Sequence, residues 1–370
     1  MKSASKTSLS CAPSMRGDKR ILMKGNIAIC RGALAGGLDA YYGYPITPQN
    51  EIPEYMSRKL PERGKVFIQA ESELASINMV LGSAVAGFRA MTSSSSPGIS
   101  LMQEGISYLA GCELPCLIVN VQRGGPGLGN IAGSQSDYFQ AVKGGGHGDY
   151  RLIVYSPSGV QEMYEIARSA FVVAEKYRNP VMILTDGFSG QMMEPVLLPP
   201  DTSPPPRATA SWALDGCRGR APRLTRSLLM ADGALEKHNL KLRDKYETVK
   251  KNETRCETYL TDDAEVIIVA AGIAARIARA VVNSARSGGS KVGLIRPVTL
   301  WPFPQEVIRA SAANKGGKLK GFLTVELNMG QMVEDVRLAV DGKAPVEFLG
   351  RPGGGLPTTE EILAAVRKIL

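Results

Sequence analysis

Three polar residues that lie beside short apolar stretches could do chemistry together. Arg123 follows the apolar run 117–121 and precedes a glycine-rich loop, Glu71 follows the run 66–68, and Thr47 lies between two prolines. An arginine in such a loop can hold a planar carboxylate through two parallel hydrogen bonds. A carboxylate at the end of a strand lies where open α/β sheets bind their ligands. The three residues are therefore expected to converge on one crevice.

Each of these residues also has an ordinary structural explanation. Glu71 could cap the helix that follows it, Thr47 could be the N-cap of its own helix, and Arg123 could belong to a structural ion pair. The hydroxyl-rich run 92–98 suits an anion at a helix N-terminus, but it equally suits plain capping. The residue types alone leave both sets of explanations open.

The elements that must position these residues alternate as strand and helix. From residue 26 to 185, continuously apolar runs recur between helical patterns, and one of them, 66–68, is predicted to be a short buried strand. Continuously apolar strands that alternate with helices are typical of a parallel sheet. The predicted fold class is therefore α/β, with a doubly wound and mostly parallel sheet.

The 370 residues exceed the usual size of a single domain. The predicted segments are a disordered tail at 1–22, a first α/β domain at 23–195, a connector with a charged helix at 196–262 and a smaller α/β domain at 263–370. Prolines mark the start of the connector, and its helix is expected to run from residue 234. One face of that helix carries Leu235, Leu242, Tyr246 and Val249.

Composition narrows the class of protein. The formal charge of +9 is spread along the chain, without the basic stripe interleaved with aromatic residues that a nucleic-acid groove would show. Six cysteines without a CxxC pair, and only two histidines, argue against structural zinc or a complete iron–sulfur site. Reduced thiols in a cytoplasmic protein are expected. No window predicts a membrane span, and the polar N-terminus does not predict a signal peptide.

A dinucleotide fingerprint is formally present in Gly127-x-Gly129-x-x-Ala132. Five residues, one of them a proline, separate the preceding strand from Gly127, whereas the fingerprint needs a tight turn from strand to helix. A nicotinamide dehydrogenase is therefore disfavoured. His147, in a glycine-rich loop, could titrate near neutral pH, although a lone loop histidine is more often incidental.

Several motifs together resemble the α subunit of the 2-oxoacid:ferredoxin oxidoreductases. The short motifs are YPITP at 44–48, QAESE at 69–73, SPG at 96–98 and NVQRGGPG at 120–127. Longer runs at 135–150 and 236–241 resemble the branch that acts on 2-ketoisovalerate, and LWPFP at 300–304 extends the likeness into the second domain. The resemblance covers nearly everything from Met23 onward. It departs from the family at Gly133-Ser134, where relatives carry Pro-Glu, and this puts the substrate preference in doubt.

The resemblance implies an enzyme that uses thiamine diphosphate. This chain would supply the domain that binds the pyrimidine ring, followed by a domain similar to the C-terminal domain of transketolase. Glu71 matches the glutamate that shares a proton with the aminopyrimidine ring. Thr47 and Arg123 match residues that hold the oxo and carboxylate oxygens of the substrate, and Tyr44, Pro45 and Ile46 would line the cofactor cavity.

The resemblance also implies partner subunits. The chain contains neither a Gly-Asp-Gly motif followed by Asn, which would bind magnesium and diphosphate, nor a cysteine set for a [4Fe-4S] cluster. The family carries Mg²⁺ on a separate β subunit, which shares the thiamine diphosphate, and its clusters on partner subunits. γ and ferredoxin-like δ subunits, ferredoxin, coenzyme A and a 2-oxoacid complete the expected partners. No metal site is expected on this chain, which should be inactive alone.

The expected reaction converts a 2-oxoacid of the 2-ketoisovalerate (3-methyl-2-oxobutanoate) type and coenzyme A to acyl-CoA and carbon dioxide while ferredoxin is reduced. The same chemistry on 2-oxoglutarate or pyruvate stays open, because a hydrophobic pocket discriminates by only ~1–3 kcal/mol per methylene. A noncatalytic scaffold subunit is the alternative from another class.

Overall fold

Strands and helices alternate through the computed structural model, which describes residues 20–199, 203–207, 210–313 and 318–370. The strands are β1 (Arg20–Lys24), β2 (Ala40–Gly43), β3 (Val66–Gln69), β4 (Ala90–Ser94), β5 (Leu117–Gln122), β6 (Ile153–Tyr155), β7 (Val181–Asp186), β8 (Met193–Leu197), β9 (Cys256–Tyr259), β10 (Val266–Ala270), β11 (Val292–Pro297), β12 (Thr299–Trp301), β13 (Gly321–Glu326) and β14 (Val346–Gly350). The helices are α1 (Gly25–Ala35), α2 (Glu51–Lys59), α3 (Glu73–Val85), α4 (Ser96–Gly111), α5 (Tyr138–Val142), α6 (Val160–Tyr177), α7 (Gly187–Gln191), α8 (Ala234–Glu253), α9 (Gly272–Ser287), α10 (Gln305–Ala313), α11 (Met332–Val340) and α12 (Thr359–Ile369).

The first sheet has seven strands in the order β12-β6-β7-β5-β4-β2-β3. All neighbouring pairs are parallel except β12 with β6. The central strands β4, β5 and β7 are buried along their whole length, because helices such as α1, α4 and α6 pack their apolar faces on the sheet. The predicted α/β class with a mostly parallel sheet is confirmed.

The second sheet has five strands in the order β14-β13-β10-β11-β9, and only β9 runs antiparallel to its neighbour. Its apolar core lies between the sheet and helices α9 and α12. Strand β9 lies in the segment that was predicted to be connector. The short strand β12 belongs in sequence to the second domain but pairs with β6 of the first sheet, so the two domains share an edge.

A separate two-stranded antiparallel sheet joins β1 to β8. Residues 20–22 therefore belong to a strand and not to a disordered tail, and the remainder of the predicted tail, 1–19, lies outside the described residues. Strand β8 extends to Leu197, although the connector was expected to begin at residue 196. Sequence patterns missed this pairing because Pro195 in β8 is a residue that central strands exclude.

Strand β3 confirms the predicted strand at 66–68, but the prediction that this strand is buried is wrong. Strand β3 is the outer edge of the first sheet, and the side chains of Val66 and Ile68 are 45% and 41% exposed. A short apolar run has the same composition at an edge and in the centre of a sheet, so the pattern could not separate the two.

Helix α8 confirms the predicted charged helix in the connector. Leu242, Tyr246 and Val249 are buried as expected, but Leu235 is exposed, because the packed part of the helix begins only at residue 242. None of the described helices is long and apolar enough to cross a membrane.

Candidate active site

Four loops meet at the carboxyl ends of the adjacent strands β5, β4, β2 and β3. Parallel strands end at the same edge of a sheet, so all four loops lie at that edge. Hydrogen bonds join the Arg123 loop to the Thr47 loop and to Ser96, which confirms the predicted convergence of Thr47 and Arg123, whereas no described contact joins Glu71 to them.

The loop 44–48 is anchored to the sheet by Gln49. The Gln49 side chain donates to the carbonyl of Tyr44 (3.2 Å) and accepts a hydrogen bond from the hydroxyl of Ser93 (2.6 Å), which is itself 2.7 Å from the phenol oxygen of Tyr41. Gln49 and Ser93 are completely buried. Of the predicted cofactor-binding residues, Tyr44 and Pro45 are exposed and Ile46 is half-buried, so all three border the crevice entrance and none lies in the core.

Thr47 does not cap its helix. Helix α2 begins at Glu51 with Asn50 at the N-cap, and the Thr47 hydroxyl accepts a hydrogen bond from the Asn50 amide at 3.1 Å. The capping explanation for Thr47 is therefore wrong. Its side chain is half-buried and its carbonyl is bound by Arg123, which ties this loop to the guanidinium.

Arg123 is buried without an acidic partner. Its Nη1 donates to the Thr47 carbonyl (2.9 Å) and its Nη2 to the Leu128 carbonyl (3.1 Å), while its Nε is buried and makes no hydrogen bond. Within the described ranges no carboxylate forms an ion pair with this guanidinium, which is 7% exposed, so the structural ion pair is wrong. The positive charge of this buried guanidinium is not neutralised by its carbonyl partners, so the site favours binding of an anion.

The two glutamates of the third loop differ in burial. Glu71 is exposed, and the N-cap of α3 is Ser72, whose hydroxyl accepts from the Ala75 amide at 3.2 Å. The capping explanation for Glu71 is therefore wrong, and its side chain is exposed in this chain. The buried glutamate is Glu73, which is 6% exposed.

Glu73 points toward the N-terminus of α4. A Cβ atom at Gly98 would lie 2.5 Å from Glu73 Oε1, so the missing side chain at Gly98 makes the space that the carboxylate occupies. Within the part of the chain that the structure describes, this carboxylate makes no hydrogen bond or ion pair. Sequence reasoning missed Glu73 because it is two residues from Glu71, and both precede the same helical pattern.

The hydroxyl-rich run supplies buried polar atoms without partners. The hydroxyls of Thr92, Ser94 and Ser95 are buried and make no hydrogen bond. Ser95 is the N-cap residue of α4, yet its side chain does not cap the helix. The plain capping explanation for this run is therefore wrong.

Asp137 is a half-buried carboxyl group that the sequence patterns did not single out. Its Oδ2 accepts hydrogen bonds from Ser96 (2.5 Å) and Asn120 (2.8 Å), and its amide donates to Gln122 (3.0 Å). Burial raises the pKa of the Asp137 carboxyl above its usual range. Ser96 also accepts from the Arg123 amide at 3.1 Å, so Asp137 holds the Arg123 loop against α4.

A cavity of about 580 Å³ opens beside Thr47. Its walls include Asn50 and Glu51 from the start of α2, Ile131 and Ala132 from the glycine-rich loop, and Phe188 from α7. The cavity therefore continues the crevice from the substrate-binding candidates toward the second domain, whose apolar core contacts Phe188.

The loop with Gly127 and Gly129 is not a dinucleotide fingerprint. No helix follows β5 until α5 begins at Tyr138, so the strand-to-helix turn that the fingerprint requires is missing. His147 is exposed in its loop. Among the described residues, no group of three His, Cys, Asp or Glu side chains could hold a metal ion.

Family comparisons cover nearly the whole chain. The family described as "Pyruvate flavodoxin/ferredoxin oxidoreductase, thiamine diP-bdg" matches residues 31–254, and "Pyruvate:ferredoxin oxidoreductase core domain II" matches residues 264–362. The first of these families carries the thiamine diphosphate-binding domain, so this chain contains that domain.

Two relatives show how far the similarity extends. The ketoisovalerate oxidoreductase subunit VorB of Methanothermobacter marburgensis is 50% identical over 94% of this chain and 97% of its own length. The 2-oxoglutarate synthase subunit KorA of Methanothermobacter thermautotrophicus is 38% identical over 94% of this chain and 98% of its own length.

Solved structures agree with the fold. The 2-oxoglutarate:ferredoxin oxidoreductase from Magnetococcus marinus, with 2-oxoglutarate, coenzyme A and succinyl-CoA bound, superposes with a TM-score of 0.83 at 28% identity. The match covers 97% of this chain and 66% of that chain, so this chain spans just under two thirds of its length. A split-gene transketolase, 14% identical with a TM-score of 0.57 over 96% of this chain and 99% of its own, supports the transketolase-like fold alone. With two family matches and relatives of this identity along its whole length, the chain belongs to the 2-oxoacid:ferredoxin oxidoreductase family.

Proposed function

We propose that this chain is the α subunit of a thiamine diphosphate-dependent 2-oxoacid:ferredoxin oxidoreductase that oxidatively decarboxylates a 2-oxoacid of the 2-ketoisovalerate type. The observation that carries the proposal is the juxtaposition of Arg123, a buried cation without an acidic partner, with the Thr47 hydroxyl loop. The 50% identity to a ketoisovalerate oxidoreductase subunit supports the substrate class.

Arg123 and Thr47 would bind the substrate. The Arg123 guanidinium has no acidic partner among the described residues, so its charge is available for the carboxylate of a 2-oxoacid. Hydrogen bonds to a charged acceptor are about twice as strong as neutral ones. The half-buried Thr47 hydroxyl, on the loop whose carbonyl Arg123 binds, would donate to the oxo oxygen.

We propose that Glu73 is the carboxyl group that shares a proton with the thiamine diphosphate ring. When bound, thiamine diphosphate supplies the carbon nucleophile and the electron sink for decarboxylation. The Glu73 carboxylate is 6% exposed and unpartnered among the described residues, so it fits a ring nitrogen with which it can share a proton. Glu71, which the family resemblance favoured, is exposed in this chain and becomes the alternative. Tyr44, Pro45 and Ile46 would line the cofactor cavity once a partner subunit covers the crevice entrance.

The complete enzyme would need other chains. A β subunit would share the thiamine diphosphate and carry Mg²⁺ and a [4Fe-4S] cluster, and γ and ferredoxin-like δ subunits would pass electrons to ferredoxin. Coenzyme A would accept the acyl group. The complex is expected in the cytoplasm. The VorB and KorA relatives are themselves named as subunits, which supports a multisubunit assembly.

The test compares Glu73→Gln with Glu71→Gln in the complex purified with its partner subunits. Glu73→Gln should slow turnover by roughly 10²–10⁴-fold, the usual worth of a positioned proton-transfer group, without loss of assembly. Glu71→Gln should stay within about twofold, because substitutions at exposed positions usually change free energies by less than about 0.5 kcal/mol. If instead Glu71→Gln slowed turnover and Glu73→Gln did not, Glu71 would be the residue that shares a proton with the cofactor ring.

The same preparation separates the remaining alternatives. A panel of 2-oxoacids with a low-potential dye as acceptor would rank 2-ketoisovalerate against 2-oxoglutarate and pyruvate. Unchanged turnover in both glutamine variants would leave only the scaffold role for this chain.

A further inference from the structure

The cavity beside Thr47 has a wall that is fixed to Arg123. Arg123 and Gly133 form an antiparallel bridge, and the Gly124 amide donates to the Ala132 carbonyl at 2.9 Å. Residues 132 and 133 are therefore tied to the backbone of Arg123 and Gly124. A substrate whose carboxylate is bound by Arg123 would have this wall next to the rest of its carbon skeleton.

The apolar side of the cavity depends on two glycines. A Cβ atom at Gly133 would lie 2.5 Å from Phe188 Cδ2, and one at Gly187 would lie 2.9 Å from Pro48 Cγ. Both are closer than a real Cβ atom approaches another atom. The phenyl ring of Phe188 can lie against the 131–133 backbone only because residue 133 has no side chain.

Among the residues that the structure describes, no cationic side chain lines the cavity. Its one charged lining residue is Glu51, whose carboxylate is already bound by Lys24 (2.8 Å), Asn26 (2.9 Å) and Gln191 (2.9 Å). A second carboxylate on a substrate would lose its hydration here, would find no positive partner and would approach Glu51. Leaving a charge without a partner in a partly buried site is costly.

We propose that this cavity binds the side chain of the 2-oxoacid and that Ile131 and Phe188 select uncharged side chains over acidic ones. The inference rests on the proposed function and adds the residues that determine specificity. At about 580 Å³ the cavity is as large as pockets that hold drug-sized ligands, so it does not select by tight fit. Discrimination by chain length should be weak and discrimination against a second carboxylate strong.

The main test adds a positive charge at the cavity wall. In the purified complex, Ile131→Lys should lower the ratio of kcat/KM for 2-ketoisovalerate to that for 2-oxoglutarate by roughly tenfold or more, because a lysine within reach attracts the distal carboxylate at low ionic strength. Ile131→Leu keeps the apolar wall and should leave the ratio unchanged. Met329→Lys adds the same charge at an exposed residue outside the cavity lining and should also leave it unchanged.

A ratio of two substrates cancels any general loss of assembly or cofactor. If the wild-type complex oxidises no 2-oxoacid, the proposed function fails. If the wild type is active but Ile131→Lys leaves the ratio within twofold of the wild type, the side-chain pocket is elsewhere and this inference fails.

A second variant tests the opposite wall. The methyl group of Gly133→Ala would collide with the Phe188 ring and with the Phe188 backbone nitrogen and so shift this cavity wall. KM should therefore change more for 2-oxoacids with long aliphatic side chains than for pyruvate. An equal change of KM for both substrates would contradict the assignment of Phe188.

Discussion

Asp186 has a buried carboxylate whose pKa predicts how stability depends on pH. The residue ends β7 and caps α7, and its carboxylate accepts hydrogen bonds from the amide and the hydroxyl of Ser189 at 2.9 Å each. Within the described residues it has no cationic partner. Burial raises the pKa of Asp186 from 3.8 to about 6, and the hydrogen bonds from Ser189 only partly oppose this.

The sign of the effect follows from the two pKa values. Between pH 3.8 and about 6 the folded chain holds a proton on Asp186 that the unfolded chain has already released, so stability falls as the pH rises through this window. Each pKa unit corresponds to ~1.4 kcal/mol, so the full loss is about 3 kcal/mol. About 2 kcal/mol of it should be lost between pH 4.5 and 7.5.

Asp186→Asn removes this titration and keeps an oxygen that can cap α7. Urea denaturation of the purified chain at a series of pH values would measure the difference in free energy of unfolding between the wild type and the variant. That difference should shift in favour of Asp186→Asn by about 2 kcal/mol from pH 4.5 to 7.5.

Asp263→Asn is the matched control. Asp263 is exposed, and the hydrogen bond from Arg286 lowers its pKa, so the wild type should lose its advantage over this variant as the pH falls. If the difference for Asp186→Asn did not change with pH, or changed in the same direction as the control, the assignment of a buried, unpaired carboxylate would be refuted.

Three further predictions concern a buried ion pair, a close packing contact and a helix cap. Arg89 forms two 2.7 Å hydrogen bonds with Glu175 in the interior, so Arg89→Met should destabilise the chain by about 3–5 kcal/mol in urea denaturation, and the added Glu175→Met should recover part of this loss. Gly98→Ala should displace the Glu73 carboxylate and reduce turnover of the complex, with a cost in stability of about 1–3 kcal/mol that thermal denaturation would measure. Ser72→Ala removes the cap of α3 and should cost about 0.5–2 kcal/mol, whereas an unchanged melting temperature would contradict the capping geometry.

The sequence by itself determined the fold class and the order of the elements. The apolar runs of β5 and β7 correctly predicted buried parallel strands. Parallel strands that are covered on both faces can carry apolar residues at every position. The same alternation implied that the loops with Thr47 and Arg123 would meet at one edge of the sheet. This inference needs only chain direction and no knowledge of which strands are neighbours.

Tertiary structure decided which of the chemical groups are buried. Val66 and Ile68 are apolar, but β3 lies at the edge of its sheet, and this placement leaves Glu71 exposed while the first turn of α3 buries Glu73. Strand order and the packing of α3 against α4 are long-range contacts, and no local pattern specifies them.

The unpaired state of Arg123 and the shape of the side-chain cavity have the same origin. Whether a buried arginine meets a carboxylate or only carbonyls depends on which segments the fold brings beside it, here the loops of Thr47 and Leu128. The contact of Phe188 with Gly133 joins segments that are far apart in sequence. Residue types thus determined what chemistry was available to this protein, and three-dimensional packing decided which of those groups have no partner of their own and can bind a ligand.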